Sequence, residues 1–138
     1  MKKIMFLSLI ALVSCFSAFA EKKPPQAVLN SFNQKFPDIT DVDWSLEKNG
    51  EWEAEFDATD GKETSANFSL DGTWLETETE IAITDLPAAV RDAVTKMRPG
   101  KKIKEAARIL DASGQITYEV EVSGKDLIFN AEGVFVRW

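Results

Sequence analysis

Residues 51–57 (EWEAEFD) and residues 63–70 (ETSANFSL) decide the fold class, because apolar and polar side chains alternate in both. Alternation with a period of two is typical of antiparallel strands that bury one face and expose the other. The same alternation occurs at residues 42–47 and 116–122, and in part between residues 127 and 138. These segments predict an antiparallel sheet with one buried and one solvated face.

Two segments have the period of an amphipathic helix, and each precedes a group of strand-like segments. Between Pro24 and Pro37, apolar side chains recur every three or four residues, which places them on one helix face. The same spacing recurs from Leu86 to Met97, and Pro99-Gly100 ends this second helical pattern. The predicted order is therefore a helix and about four strands, followed by a second helix and about four strands.

The two halves of the chain can be aligned with each other. Residues 68–74 (FSLDGTW) match residues 129–135 (FNAEGVF) in the positions of the aromatic side chains and the glycine. One unit of about 55 residues is marginal as an independent core, so we expect both units to share one sheet. The sequence predicts an α+β fold of two tandem helix-plus-four-strand repeats, residues 24–81 and 84–138. They would form an antiparallel sheet with the helices packed on one face.

The N-terminal residues have the organisation of a secretory signal peptide. Lys2 and Lys3 precede an apolar run, and Ala18-Phe19-Ala20 is the small-x-small pattern that signal peptidase accepts. The apolar run is too short for a permanent bilayer span. These features predict a signal peptide over residues 1–20, a mature domain over residues 21–138, periplasmic or secreted localisation, and no membrane span.

Cys15 provides an alternative to soluble export. It follows Leu12-Val13-Ser14, and the four residues resemble a bacterial lipobox, in which the cysteine is lipidated. A lipid anchor at Cys15 and a lipoprotein localisation are therefore the alternative. The sequence has one cysteine, so either route leaves the mature domain without a disulfide bond.

Composition argues against several classes of function. The chain has 16 basic and 23 acidic side chains and a formal net charge of −7, whereas binding to a phosphate backbone requires a positive surface. It has no histidine, which is the commonest general base and a common metal ligand. We therefore expect no nucleic acid partner, no catalytic residue, no metal site and no cofactor.

The number of residues in a hairpin turn predicts which side chains project from the solvated face of the sheet. A two-residue turn at Asp71-Gly72 would place Trp74 on that face, and the same count at Glu132-Gly133 would place Phe135 there. The second count also places Ile128 and Arg137 on this face. The acidic side chains of the alternating segments line the same face. The candidate binding residues are Trp74, Phe135, Ile128, Arg137, Glu53 and Glu55.

In two other segments, a two-residue turn or a regular alternation does not fit the sequence. A two-residue turn at Asn49-Gly50 would place Leu46 opposite a glutamate, whereas a three-residue loop from Lys48 to Gly50 places Leu46 opposite Trp52. The segment 103–110 lacks clean alternation, so its register is not predicted.

Five motifs are spread over both halves of the chain: Phe36-Pro37, Val42-x-Trp44, Glu53-Ala54-Glu55-Phe56, Asp71-Gly-Thr-Trp-Leu-Glu76 and Leu86-Pro-x-Ala-Val90. Together they resemble the PepSY-like domain family of exported bacterial proteins, which has a β-lactamase-inhibitor-like fold. The resemblance implies tandem α+β units, no known enzymatic activity and, by analogy with the wider PepSY group, a role in restraining peptidases. It transfers no catalytic residue to this chain.

The expected function is that of a non-enzymatic, exported binding module, protein- or peptidase-inhibitor-like, whose partner is an unidentified envelope protein or peptide. The partner would contact the exposed sheet face. The alternative is an acidic envelope protein that binds divalent cations through its carboxylates. The carboxylates also fit a solvated face that maintains solubility. For Trp74 and Phe135, the alternative to a contact surface is coverage by a neighbouring strand, by a loop or by Trp138.

Overall fold

The computed structural model describes residues 23–138. The predicted signal peptide and the lipidation alternative at Cys15 lie outside the described residues. In chain order the elements are α1 (Gln26–Lys35), β1 (Asp43–Leu46), β2 (Trp52–Asp57), β3 (Glu63–Phe68), β4 (Trp74–Glu80), a 3-10 helix (Ile83–Asp85), α2 (Ala88–Met97), β5 (Ile103–Asp111), β6 (Ile116–Val122), β7 (Lys125–Asn130) and β8 (Phe135–Arg137). The predicted α+β class is confirmed.

The strands form one antiparallel sheet in which each strand pairs with its neighbours in sequence, from β1 to β8. α2 lies between β4 and β5 in the chain, yet these strands pair directly, with Glu76 opposite Asp111 and Glu80 opposite Ala107. The sheet is therefore continuous across the middle of the chain. In the described range, neither helix has the length and apolar character needed to cross a membrane.

Both helices pack on the same face of this sheet, which we call the helix face. One row of paired residues crosses it from β2 to β6, namely Phe56, Thr64, Thr79, Arg108 and Tyr118. Phe56 belongs to the hydrophobic cluster under α1, and Tyr118 packs against the cluster under α2. We call the opposite face, which carries neither helix, the outer face.

The first hydrophobic cluster lies between α1 and strands β1 to β3. α1 ends before Pro37, which cannot continue a helix, and its inward side buries Val28 and Phe32. The ring centroid of Phe32 lies 5.2 Å from that of Trp44 and 5.3 Å from that of Phe56. Burial of one such aromatic side chain stabilises a fold by roughly 1.5–3 kcal/mol, so Phe32 anchors α1 to the sheet.

The second hydrophobic cluster lies between α2 and strands β5 to β7. Val90 and Val94 are the buried residues of α2, and they pack with sheet residues that include Val120 and Phe129. The two clusters have no buried residue in common. Each helix therefore has its own core on one continuous sheet.

Five hairpins are closed by the same kind of loop, which has three residues and ends in a glycine with positive φ. Glycine adopts this left-handed conformation without steric penalty because it lacks a β-carbon. The predicted loop from Lys48 to Gly50 is confirmed, since Leu46 lies opposite Trp52. The five loops span residues 48–50, 59–61, 70–72, 112–114 and 131–133.

The predicted position of Trp74 on the solvated face is wrong. The Ser69 N–H donates to the Thr73 carbonyl at 2.9 Å, so the loop has three residues rather than two, and the parity shifts by one. Trp74 consequently lies opposite Phe68 on the helix face, where it packs against the first cluster. The Lys35 ammonium lies 3.5 Å from the ring centroid of Trp74.

The predicted position of Phe135 on the solvated face is wrong for the same reason. The Asn130 N–H donates to the Val134 carbonyl at 3.0 Å, which again makes a three-residue loop. Phe135 therefore lies opposite Phe129 on the helix face, with 5.7 Å between the ring centroids. The Trp138 ring lies 5.1 Å from the Phe135 ring, so the alternative in which neighbouring residues cover Phe135 is confirmed.

β5 lacks clean alternation because both of its sides are buried. Ala106 packs in the cluster under α2, whereas Ala107 and Ile109 are buried on the outer face. A register shift between Ile103 and Glu105 disturbs the period further. A central strand with apolar residues on both sides does not show the period of two on which the sequence argument depends.

Candidate functional site

The outer face is lined by carboxylates, because the acidic positions of the alternating segments project away from the helices. The strand residues that the structure describes bring two cations to this face, Lys104 and Arg137. The carboxylates are those of Asp43, Glu53, Glu55, Asp57, Glu63, Glu76, Glu78, Glu80, Glu105, Asp111, Glu119, Glu121 and Asp126.

Glu78 lies near the middle of the outer face, between Ser65 on β3 and Ile109 on β5. Burial, and after it the charge of Glu119, raises the pKa of Glu78 to about 8. A carboxyl group with this pKa is partly protonated at neutral pH, so it can donate as well as accept a hydrogen bond. A neighbouring cation would favour its ionised form.

Glu119 lies two strands away from Glu78, between Ala107 on β5 and Ile128 on β7. Burial, and after it the charge of Asp126, raises the pKa of Glu119 to about 7. The positive charge of Arg137 acts in the opposite direction and lowers this pKa. Glu119 therefore has one partly compensating cation on its own sheet.

The predicted candidates Glu53 and Glu55 both lie on the outer face, on β2. Burial, and after it the charge of Glu55, raises the pKa of Glu53 to about 7. Burial and the charge of Asp43 raise the pKa of Glu55. On this side of the outer face, as at its centre, neighbouring carboxylates therefore repel one another.

Ile128 and Arg137 lie opposite each other on the outer face, which matches the predicted pair because a register shift between Ile128 and Phe129 offsets the extra loop residue. Ile128 is only 6% exposed, whereas Arg137 is exposed at the edge of the sheet. Four of the six candidate residues are therefore on the outer face, in two pairs at opposite ends of it. Trp74 and Phe135 are not part of it.

Sequence reasoning missed the apolar centre that separates these two pairs. Ala107 is 1% exposed and Ile109 is 3% exposed, although both lie on the face without helices. The signal for this centre is the loss of alternation in β5, which places apolar residues on both of its sides. Glu78 and Glu119 differ from ordinary surface carboxylates because they lie beside this centre.

The carboxylates of the outer face are spread out rather than gathered. Within residues 23–138, no group of three or more histidine, cysteine, aspartate or glutamate side chains is close enough to hold a metal ion. Residues two apart on a strand are about 7 Å apart, whereas Ca²⁺ requires several oxygens within about 2.6 Å. The geometry suits several separate positive charges better than a single ion.

The comparison with protein families identifies the fold family. The profile described as "beta-lactamase-inhibitor-like, PepSY-like" matches residues 50–137, which run from the loop before β2 to the end of β8. The chain belongs to the PepSY-like family. The resemblance that the sequence motifs indicate is thereby confirmed, and two of those motifs, Phe36-Pro37 and Val42-x-Trp44, precede the matched residues.

Solved structures share the fold of this PepSY-like domain. A BLIP-like protein from Bacteroides fragilis is 25% identical, with a TM-score of 0.66, and the match covers 86% of each chain. A DUF2874 family protein from Bacteroides uniformis is 20% identical, with a TM-score of 0.72, covering 83% of this chain and 88% of that one. A Bacteroides eggerthii protein, one of the "putative periplasmic proteins", is 20% identical, with a TM-score of 0.72, covering 84% and 88%. A comparison with curated proteins gave no match.

The PepSY-like domain has a cavity of about 270 Å³ on its helix face, where the end of α1 meets β2 to β4. Threonine side chains form part of its lining, and the hydroxyl groups of two of them have structural partners. Thr77 accepts a hydrogen bond from the Trp74 indole at 3.0 Å, and Thr64 donates to the Lys62 carbonyl at 3.2 Å. The outer face therefore remains the candidate functional site.

The edge of the PepSY-like domain at β8 carries positive charge beside an aromatic ring. Trp138 is 64% exposed, the Arg98 guanidinium carbon lies 5.0 Å from its ring centroid, and the Lys125 ammonium lies 5.7 Å from it. Cation–π contacts at exposed sites stabilise by about 0.5–1 kcal/mol, which holds Trp138 near the end of the second core. The acidic outer face and this basic edge are thus separate surfaces.

Proposed function

We propose that this PepSY-like domain is an exported, non-enzymatic binding module that holds a protein or peptide of the cell envelope against its outer face. The observation that carries the proposal is the combination of half-buried carboxylates and an apolar centre on a sheet face that neither helix covers. Burying polar groups on an open face costs free energy unless a partner satisfies them. Such a face is suited to recognition rather than to maintaining solubility.

An inhibitor-like role is supported by the family description and by the BLIP-like protein of Bacteroides fragilis. Both names refer to proteins that resemble an inhibitor of an enzyme, and inhibitors of this kind act by binding a protein surface. The sequence also has no histidine, which argues against general acid–base catalysis of the commonest type. We therefore assign the domain a protein partner rather than a reaction.

Export is supported by the N-terminal pattern of residues 1–20 and by the description of the Bacteroides eggerthii neighbour. Cleavage after Ala20 would release the domain into the periplasm or the medium, whereas lipidation at Cys15 would tether it to a membrane. The outer face would be accessible in both cases. Mass spectrometry of the mature N-terminus distinguishes these two routes.

Two matched variants test the binding face. Thr117→Tyr adds a bulky side chain to the middle of the outer face, and Asn33→Tyr adds the same side chain to the exposed side of α1. We expect the immobilised wild-type protein and Asn33→Tyr to capture the same protein from an envelope extract, and Thr117→Tyr to lose it. Capture that is equal for all three proteins would reject the outer face as the binding site, provided that their melting temperatures agree.

We also propose that residues 24–81 and 84–138 are two copies of one structural unit. Each half contains one helix followed by four strands. In each half the glycine of the last hairpin loop packs against a helix carbonyl, Gly72 against Ala27 and Gly133 against Ala89. The same contact at equivalent positions supports duplication of a unit that carries its own helix. Superposition of the two halves in a crystal structure of the domain, with Gly72 and Gly133 at equivalent positions, tests this proposal.

A further inference from the structure

The centre of the outer face combines an apolar floor with carboxylates that lie beside it. Ala107, Ile109 and Ile128 are 1%, 3% and 6% exposed, so the side chains of neighbouring strands must cover them. Glu78 pairs with Ile109, and Glu119 pairs with both Ala107 and Ile128. Apolar surroundings lower the local dielectric constant, which strengthens the attraction between a carboxylate and an approaching cation.

The charges that face these two carboxylates are predominantly negative. Glu53 on β2, Glu76 on β4, Glu119 on β6 and Asp126 on β7 act on Glu78. Asp126 on β7, Glu76 on β4, Glu121 on β6 and the cation Arg137 on β8 act on Glu119. Oε2 of Glu63, on the same face, is shielded from solvent and has no hydrogen-bond partner in the described part of the chain.

The edge of the face shows how a cation relieves this repulsion. Lys104 forms ion pairs with Glu105 at 3.4 Å and with Glu121 at 3.3 Å. Arg137, which lies beside Ile128, lowers the pKa of Glu119. The ion pairs described for residues 23–138 do not include Glu78, which lies farther from both cations along the sheet. Positive charge supplied by a partner would therefore relieve the repulsion at the centre of the face.

We propose that Glu78 and Glu119 bind lysine or arginine side chains of a basic polypeptide, which lies across the centre of the outer face. This inference rests on the proposed function, because it specifies the chemistry of the partner that the face would hold. The aliphatic stem of a lysine or arginine side chain would pack on the side chains that cover the apolar floor, while its charged end meets a carboxylate. Neutral or acidic segments would desolvate both carboxylates further without supplying a positive charge.

The spacing of the carboxylates favours a polypeptide over a metal ion. Glu78 pairs with Ile109 and Glu119 with Ala107, so the two glutamates are separated by two strand spacings of about 4.8 Å and are offset by two residues, about 7 Å, along β5. Within residues 23–138, no three acidic side chains are close enough to hold one metal ion, whereas two side chains of one extended segment can each meet one carboxylate. A second copy of the chain is disfavoured by the net charge of −7, which makes two copies repel each other.

Cation binding at these carboxylates should release protons. The pKa of Glu78 is raised to about 8 and those of Glu53 and Glu119 to about 7, so each of these carboxyl groups is protonated in a fraction of the molecules at neutral pH. A bound cation favours the ionised forms and lowers these pKa values. Affinity should therefore increase as the pH rises from about 6, and level off only once the pH is above the pKa of Glu78.

The test is calorimetric titration of the wild-type protein with a synthetic peptide of alternating lysine and threonine residues. A peptide in which glutamine replaces each lysine is the control ligand. The double variant E78Q/E119Q should bind the lysine peptide about tenfold more weakly or worse than the wild type. The matched control D85N/D92N removes two exposed carboxylates, one from the 3-10 helix and one from α2, and should bind like the wild type. Binding by the wild type should be stronger at pH 8 than at pH 6.

Four outcomes would overturn the inference. In the first, the wild type and E78Q/E119Q bind the lysine peptide with equal affinity; in the second, the wild type binds the lysine and glutamine peptides equally. In the third, equimolar Ca²⁺ or Mg²⁺ displaces the lysine peptide from the wild type. In the fourth, the wild type self-associates and E78Q/E119Q does not. Failure here can be distinguished from failure of the proposed function. If Thr117→Tyr loses the envelope partner while the lysine peptide does not bind, the binding face stands and the basic partner is rejected.

Discussion

A β-carbon at Gly72 would lie 2.5 Å from the carbonyl oxygen of Ala27, so the loop before β4 touches the backbone of α1. Gly50 has almost the same backbone conformation, with φ of 88° against 87° at Gly72, but a β-carbon there would have nothing within 4 Å of it. Alanine substitutions at the two glycines therefore separate the free-energy cost of a left-handed conformation from the cost of a steric clash.

We expect Gly72→Ala to destabilise the fold by about 1–3 kcal/mol more than Gly50→Ala, because overpacking adds to the shared conformational penalty. Urea unfolding followed by tryptophan fluorescence measures both variants. Equal losses of unfolding free energy would mean that the contact with Ala27 contributes nothing. The comparison needs no assumption about the absolute cost of a left-handed alanine.

Trp74→Ser should lower the free energy of unfolding by about 2–4 kcal/mol, because Trp74 packs against the first cluster rather than projecting into solvent. The variant also removes the indole hydrogen bond to Thr77 and the contact with the Lys35 ammonium. Val134→Ser is the control, since Val134 is 58% exposed and its loss should cost less than about 0.5 kcal/mol. A melting temperature unchanged by Trp74→Ser would contradict the three-residue loop.

Phe32→Ala should cost about 3–5 kcal/mol, because it removes the ring that links α1 to the aromatic side chains of the first cluster. Leu70→Ala, in the loop before β4, is the exposed control, because Leu70 is 59% exposed. Chemical denaturation gives both values. A loss below about 1 kcal/mol for Phe32→Ala would mean that α1 is held by something other than this ring.

Stability should fall as the pH rises from about 5 to about 8. The folded-state pKa values of Glu53, Glu78 and Glu119 lie above the ordinary glutamate value, so the folded state binds more protons than the unfolded state in this range. The stability that these groups contribute is therefore complete below about pH 4 and is lost as they ionise. Asp71 has its pKa lowered to about 2 by hydrogen bonds from Ser69 and Thr73, so it stays ionised throughout.

The variant Glu78→Gln should make this pH dependence shallower, because an amide cannot titrate. Glu132→Gln, in the exposed loop before β8, should leave the slope unchanged. The measurement is the free energy of unfolding in urea at several pH values from about 5 to about 8. Parallel curves for the wild type and Glu78→Gln would show that Glu78 is an ordinary solvated carboxylate.

The alternating segments and helical periods were sufficient to predict the class of fold, because both periods are set by which side chains are buried. Val28 and Phe32 are buried on α1, and Trp52 and Phe56 alternate with glutamates on β2. These patterns depend on local geometry alone. The outer position of Glu53 and Glu55 follows from the same alternation.

The candidate site could be predicted only in part, because loop length decides which face a strand residue occupies. A glycine at the end of a loop is compatible with a two-residue or a three-residue turn, and a difference of one residue moved Trp74 and Phe135 to the helix face. The apolar centre of the outer face could not be predicted from the sequence for a different reason. Ala107 and Ile109 are recognisable as outer residues only once the pairing of β5 is known.

The sequential strand order has a consequence for how the chain acquires its structure. Every strand partner is the next strand along the chain, so most pairings close a short loop and need no search over distant segments. The sheet can then grow one hairpin at a time, with each new strand adding to the edge of the strand before it. The connection through α2 is the longest closure, and we expect the joining of β4 to β5 to limit the folding rate.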